Sequence, residues 1–181
     1  MSDTALKIFA DATRSAWGPL TSELAATVRD QLSRLMRASP SEPWLAELLH
    51  DQPASRELYR DPEHSFVLLA HTERAGLYRP PHDHGRSWVV YAVQSGVSEM
   101  GTYAKTVAAD GQARLIKRNA TLVNAGDAQV YLPGDIHDTL CLTEAALLFR
   151  FTERDLKVED SVEHLVTRYV ERDGVWTTRP Q

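Results

Sequence analysis

The chain of 181 residues predicts a mainly β protein with helices at its N-terminus, and three patterns carry that prediction. Up to about residue 52, apolar residues recur at helical spacing. Beyond it they fall into short runs, β-branched or aromatic. Turn residues separate those runs at nearly even intervals, and no helix-length segment lies between them, so a sandwich or barrel is expected rather than a parallel sheet.

In residues 20–38, Leu24, Val28, Leu32, Leu35 and Met36 form one stripe, with Arg29, Asp30, Ser33 and Arg34 largely off it. Gly18 and Pro19 suit the start of that helix, because proline lacks the amide that a first turn leaves unpaired. Leu6, Phe9, Ala16 and Trp17 imply a shorter helix before it. Residues 41–49 imply another, with Trp44, Leu45, Leu48 and Leu49 facing inward. Their expected role is to cover one face of the later sheet. Strands are expected at residues 66–72, 88–93, 99–107, 113–117, 120–123, 130–132, 139–142 and 146–152. Asp61-Pro62, Asp110-Gly111, Ala125-Gly126-Asp127 and Pro133-Gly134 punctuate them, and Asp110-Gly111 signals a hairpin. Residues 165–171 and 175–177, joined by Arg172-Asp173-Gly174, read as a last hairpin. No linker or repeat divides the chain. One domain is expected, with a helical segment over 1–52, a barrel over 53–153 and a hairpin extension over 154–181.

Apolar content of 43% and charged content of 25% are those of a soluble globular protein. With a net charge of −5 and basic residues interleaved with acidic ones, there is no electrostatic footprint for nucleic acid. Residues 1–10 lack an apolar run of signal-peptide length and no stretch approaches a membrane span, so a cytoplasmic location is expected. The single Cys141 forms no internal disulfide, in keeping with a reducing compartment.

The chemistry concentrates in Pro80-Pro81-His82-Asp83-His84-Gly85. In an extended strand residues two apart share a face, so His82 and His84 can present both imidazoles to one point. His137, in Leu132-Pro133-Gly134-Asp135-Ile136-His137, can complete a three-histidine metal site. Neutral imidazoles would leave a divalent ion with its full charge and, unless it is saturated, open to substrate. Imidazole suits Fe, Zn, Cu and Ni alike, so ligand type alone does not choose the metal.

Gly76, five residues, then His82-Asp83-His84 and Gly96 resemble the first motif of the cupins, the double-stranded β-helix proteins. Gly126-Asp127 followed by residues 132–137 resembles the second. The resemblance covers residues 56–153 and implies a cupin-type jelly-roll β-barrel, with His82, His84 and His137 as ligands at its mouth. The usual cupin glutamate ligand falls four or five positions after the second histidine, where this chain has Trp88 and Val89. A site of three histidines without a carboxylate is similar to that of the thiol dioxygenases, such as cysteine dioxygenase and the 3-mercaptopropionate enzymes, and of the β-diketone dioxygenases. The resemblance implies Fe(II) as cofactor, with a small anionic substrate and O2 as partners; Zn, Ni or Mn stay open as the metal.

Residues 56–62 resemble the segment in which the thiol dioxygenases keep a carboxylate-binding arginine. Arg56 is the better positional match and Arg60 the second, the planar guanidinium being suited to a two-point grip. The alternative is a solvated arginine at a helix end. The serine, histidine and tyrosine relay of cysteine dioxygenases is replaced by Leu148, Arg150 and Thr152, and Val89 stands at the crosslinking cysteine of the animal enzymes. Arg150, between Phe149 and Phe151, is costly on an apolar strand unless paired or functional. It either enters the barrel as an anion ligand or points outward or to an acid such as Glu99.

Among the other histidines, His50, His64 and His164 are expected at the surface, and His71 as a hydrogen-bonded structural residue. Asp83, Asp135 and Asp138 are candidates to fix an imidazole tautomer. Tyr78, Trp88, Tyr91 and Tyr103 fit either a pocket lining or barrel core, and Cys141 reads as buried packing. The sequence thus supports a non-haem Fe(II) dioxygenase first, with a non-catalytic metal- or ligand-binding protein and a zinc-dependent lyase or hydrolase as alternatives. A homodimer is compatible with it, through the Trp44 region or the tail.

Overall fold

The computed structural model describes residues 4–109, 111 and 113–178. Three helices open the chain. In α1 (Ala5–Ala16) the Thr4 side chain accepts the Lys7 N–H at 3.2 Å. The second helix, α2 (Ser22–Leu35), starts later than Gly18-Pro19 suggests, because the Thr21 hydroxyl accepts the Leu24 N–H at 3.1 Å, a cap that proline cannot provide. Helix α3 (Pro43–Asp51) has proline in its first turn and ends on Gln52 in the left-handed region.

The rest is β-structure in two sheets. One is made from β1 (Arg56–Arg60), β2 (Val67–Arg74), β4 (Val89–Ser95), β7 (Ala128–Tyr131) and β9 (Ala145–Thr152), in the order β1-β2-β9-β4-β7. The other contains β3 (Tyr78–His82), β5 (Val97–Val107), β6 (Ala113–Asn124) and β8 (Ile136–Cys141), in the order β3-β8-β5-β6. A separate hairpin, β10 (Tyr169–Arg172) with β11 (Val175–Thr178), ends the described chain. The ladders are antiparallel, and the two sheets face each other without closing, so the fold is a jelly-roll sandwich. Among the described residues no helix is long and apolar enough to cross a membrane.

Several elements differ from the sequence pattern for identifiable reasons. The stretches 113–117 and 120–123 are one strand, which passes through Arg118 and Asn119 on a bulge opposite Thr102 and Tyr103. Pro80 and Pro81 disguise β3, yet it lies at a sheet edge, where a missing amide is tolerated. Residues 56–60 are strand rather than helix end, and a π-helical turn, Val158–Val162, has no signal in the sequence. Asp110 of the expected turn lies outside the described residues; Gly111 is left-handed and donates to the Ala108 carbonyl at 2.9 Å. At the β4–β5 corner Gly96 is obligatory. Its φ is +81°, and a Cβ there would run into the Ala145 carbonyl.

Strand alternation divides the core in two. Leu68 and Ala70 of β2, Val90 and Ala92 of β4 and Leu147, Phe149 and Phe151 of β9 turn toward the helices and pack on Phe9, Val28, Leu32, Leu45 and Leu48. Their neighbours turn between the sheets: Val89, Tyr91, Val93 and Leu148 meet Met100, Val123 and Tyr131. The helices therefore cover the outer face of the larger sheet and leave its inner face for the site.

A polar knot ties that helical layer down. The buried Asp61 carboxylate accepts from Arg14 Nε at 2.9 Å, the Tyr59 hydroxyl at 3.0 Å and the N–H groups of Glu63 and His64 at 3.0 and 2.7 Å. Burial would raise its pKa, but these donors outweigh it and hold the group at about 2. The stability it contributes is full above the ordinary value of 3.8 and is lost as the pH falls through about 2. Asp61→Asn is expected to cost about 2 kcal/mol at neutral pH. It should also flatten the acid limb of the stability profile, which urea titration at several pH values reads out.

Candidate metal centre

His82 is the last residue of β3 and the register partner of His137 on β8. His84 follows just beyond the strand, in a turn closed by Gly85. That glycine has φ +62°, and a Cβ on it would meet the Glu159 carboxylate at 2.8 Å. Asp83 between the two histidines turns away from them, its Oδ1 accepting the N–H of Gly85 at 3.0 Å and of Thr167 at 2.8 Å. The outcome is convergence. One nitrogen from each of His82, His84 and His137 lies within 4.8 Å of the others.

Tautomer and charge follow from the surroundings. The Pro80 carbonyl can only accept, so His82 donates to it from Nδ1 at 2.9 Å and keeps the Nε2 lone pair free. His84 Nε2 lies 3.3 Å from the Tyr91 hydroxyl. His137 is 0% exposed, neither of its nitrogens has a partner, and the Tyr131 ring lies 3.9 Å from it, centroid to centroid. Burial lowers the pKa of all three, and in His84 and His137 neighbouring His82 adds to the effect, so they are neutral at ordinary pH. A fully buried imidazole with two idle nitrogens is costly as a mere packing element. Three neutral nitrogen donors around one point suit a borderline divalent ion such as Fe, Zn, Ni or Cu.

None of the three aspartates considered from the sequence fixes an imidazole. Asp135 accepts the Leu132 N–H at 2.7 Å. Asp138 is buried and accepts from the Gly101 N–H at 2.7 Å and the hydroxyls of Tyr103 and Tyr78 at 2.5 and 3.1 Å. The Pro80 carbonyl does the work instead, a role that side-chain reasoning overlooks.

His82 and His84 lie on the wall of a cavity of about 550 Å³. Its other walls are the inward residues of β2 and β9, Tyr91 of β4, and a strap of residues 155–170. Arg150 enters this space, opposite Tyr91 and Leu69 in the ladders, rather than pointing outward. Glu99 is not its partner; it lies 3.7 Å from Lys117. Arg56 is not brought to the site. Its guanidinium holds Asp51 at 2.7 Å, while Glu57 and Arg60 line the cavity. The cause is a bulge between Glu57 and Tyr59, which breaks the alternation that would give Arg56 and Arg60 the same face.

Tyr78 and Tyr91 line the cavity, whereas Trp88 packs under the helices and Tyr103 against Trp176. His71 also reaches it, and Nδ1 donates to the Ala54 carbonyl at 3.3 Å. Burial, with Arg150 and Arg79 nearby, pushes its pKa down to about 4. His64 is stacked on Trp17 instead of standing free, at 5.5 Å. The Cys141 thiol is buried, which raises its pKa. Glu73, 1% exposed and bonded to Arg79 Nε at 2.9 Å, and Arg168, paired with Asp160 at 2.5 Å, carry no motif and were not legible in the sequence. An acid on an apolar strand was the available clue for Glu73.

No family model and no curated protein matches the sequence. Solved structures do. The cupin domain of Schizosaccharomyces pombe Cnp3 has a TM-score of 0.44 at 12% identity, covering 61% of this chain and 66% of its own. A Klebsiella pneumoniae protein with a double-stranded β-helix domain has 0.43 at 16%, covering 64% and 76%. KdgF from a Halomonas species has 0.41 at 20%, covering 55% and 79%. The chain thus spans just under two-thirds of the Cnp3 domain.

Proposed function

We propose that the protein is a mononuclear, metal-dependent enzyme of the cupin type, a non-haem Fe(II) dioxygenase acting on a small anionic substrate such as a thiol acid or a diketone. One observation carries the reading: three neutral nitrogen donors, two of them buried and His82 half-buried, converge beside a cavity whose wall presents Arg150, a guanidinium with no carboxylate partner among the described residues. His82, His84 and His137 would hold the Fe(II), which would supply positive charge for an anionic substrate and the one-electron chemistry that O2 requires. The chain's own residues then position the substrate. Arg150 grips its anionic end. The Tyr91 hydroxyl, within reach of both His84 Nε2 and Arg150, holds the space between them polar. Leu69, Leu148 and Leu156 line the remainder and limit water.

Metal analysis of the protein as isolated is the first experiment, followed by anaerobic Fe(II) loading and oxygen-consumption assays with thiol acids and diketones. Stoichiometric iron and substrate-dependent oxygen uptake are expected; zinc at full occupancy with no uptake would move the reading to a lyase or hydrolase. Arg150→Met is expected to lower kcat/KM about 100-fold through loss of a charge-assisted grip, with metal content unchanged. A binding protein is the second reading, favoured by Leu148, which has no group that can pass a proton, and by Thr152, whose buried hydroxyl has no hydrogen-bond partner among the described residues. Tight binding of an acid without turnover under air would support it.

A further inference from the structure

Four arginines line the cavity, and three are neutralised there. Arg60 meets Glu57 and Asp155 at 2.7 and 3.0 Å, Arg79 meets Glu73 at 2.9 Å, and Arg168 meets Asp160. Among the described residues Arg150 has no carboxylate at ion-pair distance, and its buried Nε has no acceptor. On the adjacent strand stand the opposite deficits. His71 has committed its Nδ1 proton to Ala54, so its Nε2 is a bare acceptor, buried and without a donor. Glu73 uses one carboxylate oxygen on Arg79, and the other is buried without a donor. The two residues are two apart on β2 and share the cavity face. In the ladder His71 lies opposite Leu148 and Leu69 opposite Arg150, which makes His71 and Arg150 diagonal neighbours.

We propose that His71 and Glu73 form, beside Arg150, a hydrogen-bond-accepting subsite that selects small acids bearing a hydroxyl or ammonium group next to the carboxylate. The carboxylate satisfies Arg150, and the adjacent donor satisfies His71 Nε2 or Glu73 Oε2. A plain acid answers only the first. It leaves two buried acceptors unpaired, a deficit that a polar site penalises more strongly than a missing apolar contact. This deepens the proposed function by naming the substrate class. It rests on that reading for the ligand's place in the cavity and does not depend on the metal.

The test is therefore made first on the metal-free chain, titrated calorimetrically or by NMR with propionate, lactate and alanine, which lack a thiol and differ only in what stands beside the carboxylate. Lactate or alanine is expected to bind at least about tenfold tighter than propionate. Leadership by alanine points to the Glu73 charge, leadership by lactate to His71. In Glu73→Gln or His71→Phe the preference should collapse to within about twofold of propionate, with thermal unfolding confirming that each variant is folded. Equal binding of the three acids, no detectable binding of any, or a preference that survives in both variants overturns the proposal. Should one variant fail to fold, the other and the wild-type ranking still decide. Metal uptake is measured separately on the same protein. A chain that ranks these acids but takes up no metal keeps the subsite and refutes the metal reading; one that binds metal and shows no ranking refutes the subsite alone.

Discussion

Replacing His137 by leucine is expected to leave the chain folded and to abolish the metal uptake proposed for the three-histidine cluster. In the metal-free protein the two idle nitrogens of this buried ring are a liability of about 1 kcal/mol each, and an apolar side chain of similar size removes them. The unfolding midpoint of His137→Leu without metal should thus equal or exceed that of the wild type. With metal the order reverses. An ion at a thousandfold excess over its Kd stabilises the wild type by about 4 kcal/mol, and the variant gains nothing. Elemental analysis and thermal unfolding with and without Fe(II) or Zn(II) read both effects. A variant that still binds one ion per chain would remove His137 from the ligand set.

Phe151→Ala is the second large effect, expected at about 3–5 kcal/mol. The ring is 0% exposed and sits among Phe9, Trp17, Phe66 and Trp88, at centroid distances of 6.3, 6.3, 5.6 and 5.1 Å. Helix α1, the segment after it and three strand-region residues therefore share one contact set, and truncation leaves a hole that few of them can close. Urea denaturation measures it. A loss below about 1 kcal/mol would mean that the helical layer is not anchored through this ring.

Phe151 also shows how far the sequence could be read. The three helices and most of the strands were visible as periodicity, because their apolar residues sit on one side or in short bounded runs. The histidine cluster was visible for a different reason: a pair two apart and a third in a distant motif stand out by spacing, although it is the β3–β8 register that brings them together. Arg150 needed more. Strand β9 is apolar on both faces, with Leu147, Phe149 and Phe151 under helices and Leu148 between the sheets, so composition could not say which side the arginine takes. The aromatic neighbours held the answer, since a strand with both phenylalanines outward must send residue 150 inward. Arg56 lies off the cavity wall because a single-residue bulge in β1 exchanges faces, and a bulge leaves no mark in residue type. The tail was legible as a hairpin but not as a wall of the cavity. Only the fold brings Asp160 and Arg168 there.

One detail of the strand ladder bears on kinetics. His82 and His137 lie directly opposite each other where β3 meets β8, so an ion shared between them is a cross-link closing the entire span from residue 82 to residue 137. Closing so long a loop is slow and entropically costly, so the two imidazoles are expected to meet only once the β3–β8 ladder has formed. Metal would arrive late, after the folding barrier is crossed. Its effect should appear almost wholly as slower unfolding, with a refolding rate indifferent to the ion. The protein would thereby hold its shape by a lock fitted after assembly, and chelation would shorten its lifetime without changing how fast it forms.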